Sequence, residues 1–284
     1  MHLSVIVSTY NQPAFLERVL WGYAVQTRGD FELLVADDGS GPETRALIDR
    51  LRVETGREIR HVWHEDRGFR KSEIMNRAIL ASSGDYLLFT DGDSIPRADL
   101  VDVHITLAKP GHYLAGGYLK LSAQASDRVT VEAVRDGRAT DLRWLRAQGW
   151  RPGHRALRMV RSRAAAALLD RLTPTAPLFA GNNASTWREA IFAVNGFDQA
   201  MGYGGLDRAV GYRLRNLGIR PRQVRHRAIC VHLHHERPYR RPEVVRANKE
   251  LLERIRRTGD VRAGQGLAEL AAAAAAPGTH QETA

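Results

Sequence analysis

Two short clusters in this chain combine residue types that could hold a metal-bound diphosphate. The first, Asp91-Gly92-Asp93, follows the run Tyr86-Leu87-Leu88-Phe89-Thr90. Two carboxylates flanking one glycine can share a divalent ion with a diphosphate, because hard cations take oxygen ligands and usually keep phosphate oxygens too. An isolated Asp-x-Asp is equally a surface turn, and its place directly after an apolar strand favours the site. The second cluster is Val231-His232-Leu233-His234-His235. Read as a strand, it turns His232 and His234 to one face, since the side-chain period is two. With Asp93 they make a mixed nitrogen and oxygen set suited to Mn²⁺, with Mg²⁺ as the alternative. A satisfied core histidine is the competing reading, and His235, pointing the other way, reads as a spectator. Just beyond, Arg237, Arg240 and Arg241 could clasp a diphosphate and stabilise a leaving group, or form only a solvated charge run.

These residues need a scaffold, and the hydrophobic pattern predicts one. Residues 3–8 form a strand-like run ending in Ser8-Thr9-Tyr10-Asn11, after which Pro13 opens a helical pattern with Phe15, Leu16, Val19, Leu20 and Tyr23. Residues 31–36 end on Asp37-Asp38-Gly39, residues 59–64 run into the loop Arg67-Gly68-Phe69, and residues 86–90 end on Asp91. Helices through Leu47, Ile48 and Leu51, and over residues 73–81, fall between them. Strands alternating with helices predict an α/β fold with a parallel sheet, whose ligands sit beyond the carboxyl ends of the strands. Asp37, Asp38, Asp91 and Asp93 all fall at that edge. After Asp93 the pattern loosens. Residues 113–122 predict a strand pair, 125–175 an Arg- and Ala-rich helical stretch, and 179–187 and 229–233 further strands. Helices are expected over 188–194, 207–217 and 242–257, with a frayed, alanine-rich tail.

Ser8-Thr9-Tyr10-Asn11 and Asp37-Asp38-Gly39-Ser40, taken with Asp91-Gly92-Asp93, resemble the family 2 glycosyltransferases of GT-A fold. Arg67-Gly68-Phe69 with Asn76 matches that family's glycine-to-asparagine stretch before the metal strand. The resemblance implies a Rossmann-like nucleotide-binding half with a mixed sheet, fused to an acceptor-binding half. It implies that Thr9 and Asp37 line the uracil end of a donor, that Tyr10, Asp38, Arg67 and Asn76 belong to the donor side, and that Asp91 and Asp93 hold ribose and metal. For Asp37 and Asp38 a simple Asx-turn is the alternative.

The second half adds to the likeness. Phe179-Ala180-Gly181-Asn182-Asn183-Ala184, then Val194-Asn195-Gly196-Phe197-Asp198, is similar to the stretch preceding the acceptor site in these enzymes. Tyr203-Gly204-Gly205-Leu206-Asp207, followed by Gly211-Tyr212-Arg213-Leu214, is similar to the Trp-Gly-Gly-Glu-Asp motif of β-1,4-galactosyltransferases and bacterial chondroitin-type polymerases. There the Asp is the catalytic base, so the resemblance gives Asp207 that role and places Asn182, Gly204 and Gly205 at the acceptor. Leu206 departs from the motif, whose Glu helps hold the acceptor sugar. His232-Leu233-His234 with Glu236-Arg237-Pro238-Tyr239-Arg240 resembles the His-Leu-His end of xylose-specific β-1,4-galactosyltransferases. The match covers residues 3–122 and 178–240.

An aspartate of ordinary pKa, about 3.9, is ionised at neutral pH and can accept a hydroxyl proton. One base with no second nucleophilic carboxylate fits single displacement with inversion, although Asp207 could instead only stabilise the start of its helix. The expectation is therefore a metal-dependent inverting glycosyltransferase using a nucleoside diphosphate sugar, UDP-linked, and a carbohydrate or glycolipid acceptor, in surface polysaccharide or glycolipid synthesis. Its parts would be a donor half over 1–122, an acceptor half over 123–241 and a helical extension over 242–284. A nucleotide-sugar-binding protein without turnover is the rival.

Bulk properties constrain the rest. The formal net charge of +10 over 284 residues admits nucleic acid, anionic lipid or phosphate-bearing substrates as partners, and equally the arginine bias of a GC-rich genome. No nucleic-acid recognition motif stands out and the basic residues are spread along the chain, so no nucleic-acid partner is expected. Cys230 is the single cysteine, read as a small buried hydrophobe. Trp144, Trp150 and Trp187 could stack on sugars, although core packing suits each better. No run approaches the ~20 apolar residues of a membrane span. A cytoplasmic protein is expected, with peripheral contact at the membrane's inner face left open.

Overall fold

A computed structural model describes residues 1–151, 153–173, 175–236 and 240–275. Its strands are β1 (Leu3–Thr9), β2 (Phe31–Asp37), β3 (Arg60–Trp63), β4 (Tyr86–Asp91), β5 (Ser94–Pro96), β6 (His112–Ala115), β7 (Gly117–Lys120), β8 (Ala184–Trp187), β9 (Arg220–Gln223) and β10 (Ile229–His232). Seven of them form one sheet in the order β3-β2-β1-β4-β8-β6-β9. The first four run parallel, β8 is antiparallel to both β4 and β6, and β9 is parallel to β6. A small second sheet, β5-β10-β7, carries the histidine cluster.

The alternation along the strands explains the layering. Leu3, Val5 and Val7 of β1, Leu33 and Val35 of β2, and Tyr86 and Leu88 of β4 pack into one core with Leu16, Leu20 and Ile48. Ile6, Leu34, Ala36, Leu87 and Phe89 face the other way, onto Ile74, Met75 and Ile79. Each such apolar side chain, fully buried, contributes about 1.5–3 kcal/mol. Helices therefore cover both faces of the parallel block, and only the strand ends stay open to a ligand.

The helices that close the parallel block span Pro13–Ala24, Pro42–Thr55 and Lys71–Ala81. Proline opens the first two, where its missing N–H costs nothing and its fixed φ suits the turn. The strand pair expected over 113–122 is present as β6 and β7, but the two strands belong to different sheets. Of the stretch 179–187 only Ala184–Trp187 pairs. The Arg- and Ala-rich stretch is broken into short helices, among them Val131–Arg135, Leu142–Ala147 and Arg163–Leu172. Cys230 and Trp150 are buried, and Trp144 and Trp187 pack partly buried on the core.

The expected C-terminal extension is built into the second core. Leu252 and Ile255 of the Pro242–Thr258 helix, with Leu267 of the Leu267–Ala275 helix, join the cluster that includes Leu206, Val210 and Leu214. Residues 276–284 of the expected frayed tail lie outside the described residues.

Candidate active site

The parallel register puts Ser8 beside Asp91 and Thr9 beside Asp37, so the ends of β1, β2 and β4 form one polar edge. Asp37 is fully buried. Its Oδ1 accepts from the Ser40 N–H at 2.8 Å and its Oδ2 meets His61 Nε2 at 2.8 Å. Asp38 is likewise enclosed, with Oδ1 against His64 Nε2 at 2.8 Å and Oδ2 accepting from the Arg70 N–H at 3.1 Å. The two carboxylates brace the rim from within, and both behave as more than an Asx-turn.

Tyr10 is exposed at that rim and donates to Asp66 Oδ2 at 2.9 Å, a hydrogen bond that raises its pKa. One donor-side expectation is corrected here. Asn76 is sealed in the core, where its Nδ2 donates to the Phe197 carbonyl and its Oδ1 accepts from the Phe197 N–H, both at 2.8 Å. Fully buried, it ties the Lys71–Ala81 helix to the Asn195-Gly196-Phe197 turn and is out of a donor's reach. Arg67 is largely exposed and forms an ion pair with Glu65 at 2.7 Å.

Asp91 is held from two sides. Its Oδ1 accepts from Ser8 Oγ at 2.7 Å and from Lys71 Nζ at 2.6 Å. Burial would raise the Asp91 pKa, but Lys71 and Ser8 outweigh it and hold the carboxyl below its usual range. Burial likewise opposes the Lys71 ammonium, yet Asp91 and Asp207 raise its pKa above the ordinary lysine value.

Asp207 opens the Leu206–Asn216 helix, and Gly205 before it takes a left-handed φ of 94° that a side chain would resist. Burial raises the Asp207 pKa, with Lys71 opposing and Asp91 reinforcing the shift. Its Oδ1 is sealed from solvent and makes no hydrogen bond among the described residues. The carboxylate lies so close to the Gly181 backbone that a Cβ there would come within 2.4 Å of Oδ1. Glycine at 181 is thus what admits Asp207 to the site.

Asn182 is buried beside Gly181, and its carbonyl accepts from Thr90 Oγ1 at 3.5 Å. Leu206 packs into the core and anchors the helix start. Asn248, also buried, reaches the carbonyls of Gly202, Tyr203 and Gly204 at 2.9, 3.2 and 2.8 Å.

The second sheet brings Asp93, His232 and His235 together, their candidate ligand atoms lying within 4.8 Å of one another. His235 Nε2 is 3.0 Å from Asp93 Oδ2, His232 Nε2 is 3.7 Å from Asp93 Oδ1, and the two rings stack at 5.5 Å. Each histidine turns Nδ1 to a main-chain carbonyl, His232 to Leu233 at 2.6 Å and His235 to Glu236 at 2.8 Å. A carbonyl only accepts, so Nδ1 carries the proton and the Nε2 lone pair points at the carboxylate. Two lone-pair atoms facing at 3.0 Å need a cation between them, a proton or a metal ion, and a mixed imidazole and carboxylate set fits Mn²⁺.

The expected pairing of His232 with His234 is corrected. β10 ends at His232, so the period-two alternation lapses before His234. The His234 N–H instead donates to Ser126 Oγ at 2.8 Å, and His235, expected as a spectator, swings back to Asp93. Arg240 and Arg241 are exposed, and Arg237 lies outside the described residues.

Sequence reasoning missed Lys71, His235, Gly181 and Asn248. Lys71 stood in the basic run Arg67-Gly68-Phe69-Arg70-Lys71, and only the helix start at residue 71 singles it out.

Comparison with known proteins identifies the family and the fold. Residues 4–145 match the family model described as Glycosyl transferase family 2. Validoxylamine A glucosyltransferase of Streptomyces hygroscopicus subsp. jinggangensis is 30% identical over 250 residues, covering 84% of this chain and 56% of that protein. A PGL/p-HBAD biosynthesis glycosyltransferase of Mycobacterium tuberculosis is 31% identical over 142 residues, covering 50% and 49%. The chain thus spans about half the length of the curated relatives it matches. Among solved structures, S. aureus TarS in complex with UDP-GlcNAc superposes with a TM-score of 0.62 at 14% identity, over 95% of this chain and 69% of that one. The mannosyltransferase PcManGT from Pyrobaculum calidifontis, in complex with GDP-Man and Mn²⁺, gives 0.56 at 20% identity, over 98% and 76%. The shared architecture is the GT-A fold.

Proposed function

We propose that this chain, which belongs to glycosyl transferase family 2, moves a sugar from a UDP-linked donor onto a carbohydrate or glycolipid acceptor, with inversion and with the help of a divalent metal. The observation that carries the reading is that Lys71, bonded to Asp91 at 2.6 Å, also lies within the field of the buried Asp207 carboxylate. The arrangement brings a base from the second half of the chain to the carboxylate edge of the first. A relative that covers 84% of this chain bears a glucosyltransferase name, and the two solved structures hold a UDP-sugar and a GDP-sugar with Mn²⁺. Both support a sugar-nucleotide donor. In the proposed division, residues 1–122 take the nucleotide and 123–241 the acceptor. Residues 242–284 form the helical extension, whose described part braces the acceptor half.

The nucleoside lies along the rim of Thr9 and Tyr10, shaped from beneath by Asp37 and Asp38, and Asp91 faces the ribose. Asp93, His232 and His235 would hold the metal, which supplies positive charge for the diphosphate. Gly204 and Gly205, with Asn182, leave the backbone open to the acceptor sugar. Asp207 takes the proton of the acceptor hydroxyl as its oxygen attacks the anomeric carbon. The bond from that carbon to the diphosphate oxygen breaks, and its electron pair leaves with UDP. One displacement at one carbon inverts it.

The chain would work in the cytoplasm, at the membrane's inner face, in surface polysaccharide or glycolipid synthesis. The test is a panel of UDP-sugars with Mn²⁺ and saccharide acceptors, following UDP release and the anomeric configuration of the product. Transfer with inversion is expected. Tight donor binding with neither transfer nor slow hydrolysis would leave a nucleotide-sugar-binding protein in its place.

A further inference from the structure

Although basic residues occur along the whole chain, most of its net positive charge falls in one stretch. Residues 142–172 hold eight arginines, no lysine and one acidic residue, Asp170, a formal +7 out of the chain's +10. That one aspartate is turned inward, where it takes the His226 N–H and Nδ1 at 2.9 Å and Arg227 Nε at 2.7 Å. Arg143, Arg146, Arg151, Arg155 and Arg171 are exposed, and none lies within ion-pair distance of a carboxylate among the described residues.

Apolar side chains are exposed among these charges. On the Arg163–Leu172 helix, Ala166 and Asp170 are buried, while Leu168 and Leu172 are 54% and 66% exposed. Residues four apart share a helix face, and the two leucines lie on the side opposite Ala166 and Asp170. An ion pair of Arg161 with Asp141 at 2.7 Å brings the start of the Leu142–Ala147 helix to the start of this one, so the exposed arginines and leucines are carried by adjoining elements.

That surface flanks the active site. Arg158 Nη1 donates to the Tyr118 carbonyl of β7 at 2.8 Å, and the Tyr118 ring lies 5.9 Å from the His232 ring. Asp170 grips the turn just before β10.

We propose that residues 142–172 dock this chain on an anionic phospholipid bilayer, with Leu168 and Leu172 entering the interface and the unpaired arginines meeting the headgroups. Exposed leucines on a helix ringed by arginine are what an interfacial helix uses. The charge complements the negative inner leaflet, where each basic residue near the surface adds attraction that decays within a Debye length. Among the described residues no helix is long and apolar enough to cross a membrane, so contact through this part of the chain is peripheral. A lipid-anchored acceptor would then be presented beside the metal histidines. The inference rests on the proposed function only in that last step, because bilayer binding is read without catalysis.

The test sediments the full chain with vesicles of phosphatidylcholine alone or mixed with phosphatidylglycerol, at low and at moderate salt. Binding to the anionic vesicles is expected, weakened by salt. Replacing Arg143, Arg146 and Arg155 together by Gln should weaken it by roughly tenfold to a hundredfold. A Leu168→Ser, Leu172→Ser double variant should also weaken it, and what binding remains should be more sensitive to salt. UDP affinity and transfer to a water-soluble acceptor should match wild type in both, showing that each variant is folded. Equal binding to neutral vesicles, no binding to either, or unchanged binding by both variants would overturn the proposal. So would loss of binding to a short RNA in the arginine variant with vesicle binding intact. An active enzyme that ignores vesicles sinks the docking surface and leaves the transferase reading standing, while vesicle binding without transfer does the reverse.

Discussion

Two sets of carboxylates stand at the same edge of the sheet and have opposite surroundings. Asp37 and Asp38, at the end of β2, each face a histidine at 2.8 Å and accept a backbone N–H on the other oxygen. Asp91, Asp93 and Asp207 are matched less evenly: Asp91 takes Ser8 and Lys71 on one oxygen, and Asp93 takes the Ser94 hydroxyl on one oxygen at 3.1 Å. Lys71 is bonded to Asp91 while lying in the field of Asp207, whose Oδ1 has no hydrogen bond among the described residues. Asp93 faces two imidazole lone pairs. Where local donors match the charge, a buried acid is structural; where they fall short, the fold holds a place for a cation or a substrate. The first set should register in stability and the second in turnover or metal binding.

Asp207 offers the sharpest break of that contrast. Asp207→Asn keeps the shape and removes the proton acceptor, and turnover should fall by about 10²–10⁴-fold. UDP binding by calorimetry should barely change. Because burial raises the pKa of Asp207, wild-type activity should be lost as pH falls through a value above the ordinary carboxylate range, and that acid limb should vanish in the variant. A large loss of UDP affinity would move Asp207 to the donor side.

The histidines come next. His235→Ala and His232→Ala should each weaken Mn²⁺-dependent UDP binding by about 10–100-fold, the scale of losing a well-oriented group in a metal site. His234→Ala, whose ring is absent from the cluster, should do little. Damage from His234 equal to that from His235 would restore the strand-alternation reading.

The matched set predicts a different readout. His64→Ala strips Asp38 of its buried partner and should cost about 1.5–3 kcal/mol of stability by denaturant titration. The protein that remains folded should bind UDP nearly as well as before. If UDP affinity collapsed at unchanged stability, Asp38 would belong with the working carboxylates.

How much of this was legible in the sequence follows from the range of each interaction. β1, β2 and β4 were readable because alternation and helix periodicity are local, and Asp91 and Asp93 came with the strand end. The histidine pairing went wrong at one residue, since a strand that stops at His232 obeys its periodicity only up to that point. Asn76 misled for another reason: its partner, Phe197, lies 121 residues away, a distance at which no local pattern reports. Lys71 and Gly181 were hidden likewise, because their importance comes from Asp91 and Asp207 arriving from other elements.

Asn248 tests whether the C-terminal helix serves the under-matched set. Its side-chain amide reaches three consecutive carbonyls, Gly202 to Gly204, immediately before the helix that carries Asp207. Leu252, one turn further along, packs where a Cβ on Gly205 would fall, 2.9 Å from its Cδ1. The Pro242–Thr258 helix thus fixes the loop that aims the proposed base, and among the described residues it makes no hydrogen bond or ion pair with Asp37, Asp38, Asp91 or Asp93. Asn248→Ala removes the clamp, and a hydrogen bond of this kind nets about 0.5–1.5 kcal/mol, so turnover should drop by about two- to tenfold. The loss should fall on kcat and on the acceptor KM, while the donor KM and the Mn²⁺ requirement stay as in wild type. Asn248→Asp offers a carboxylate to three carbonyls that only accept, and it should be worse than alanine. A purely structural role would lower the melting temperature and leave kcat of the folded enzyme and both KM values unmoved, and that result would return the helix to the status of an appendage.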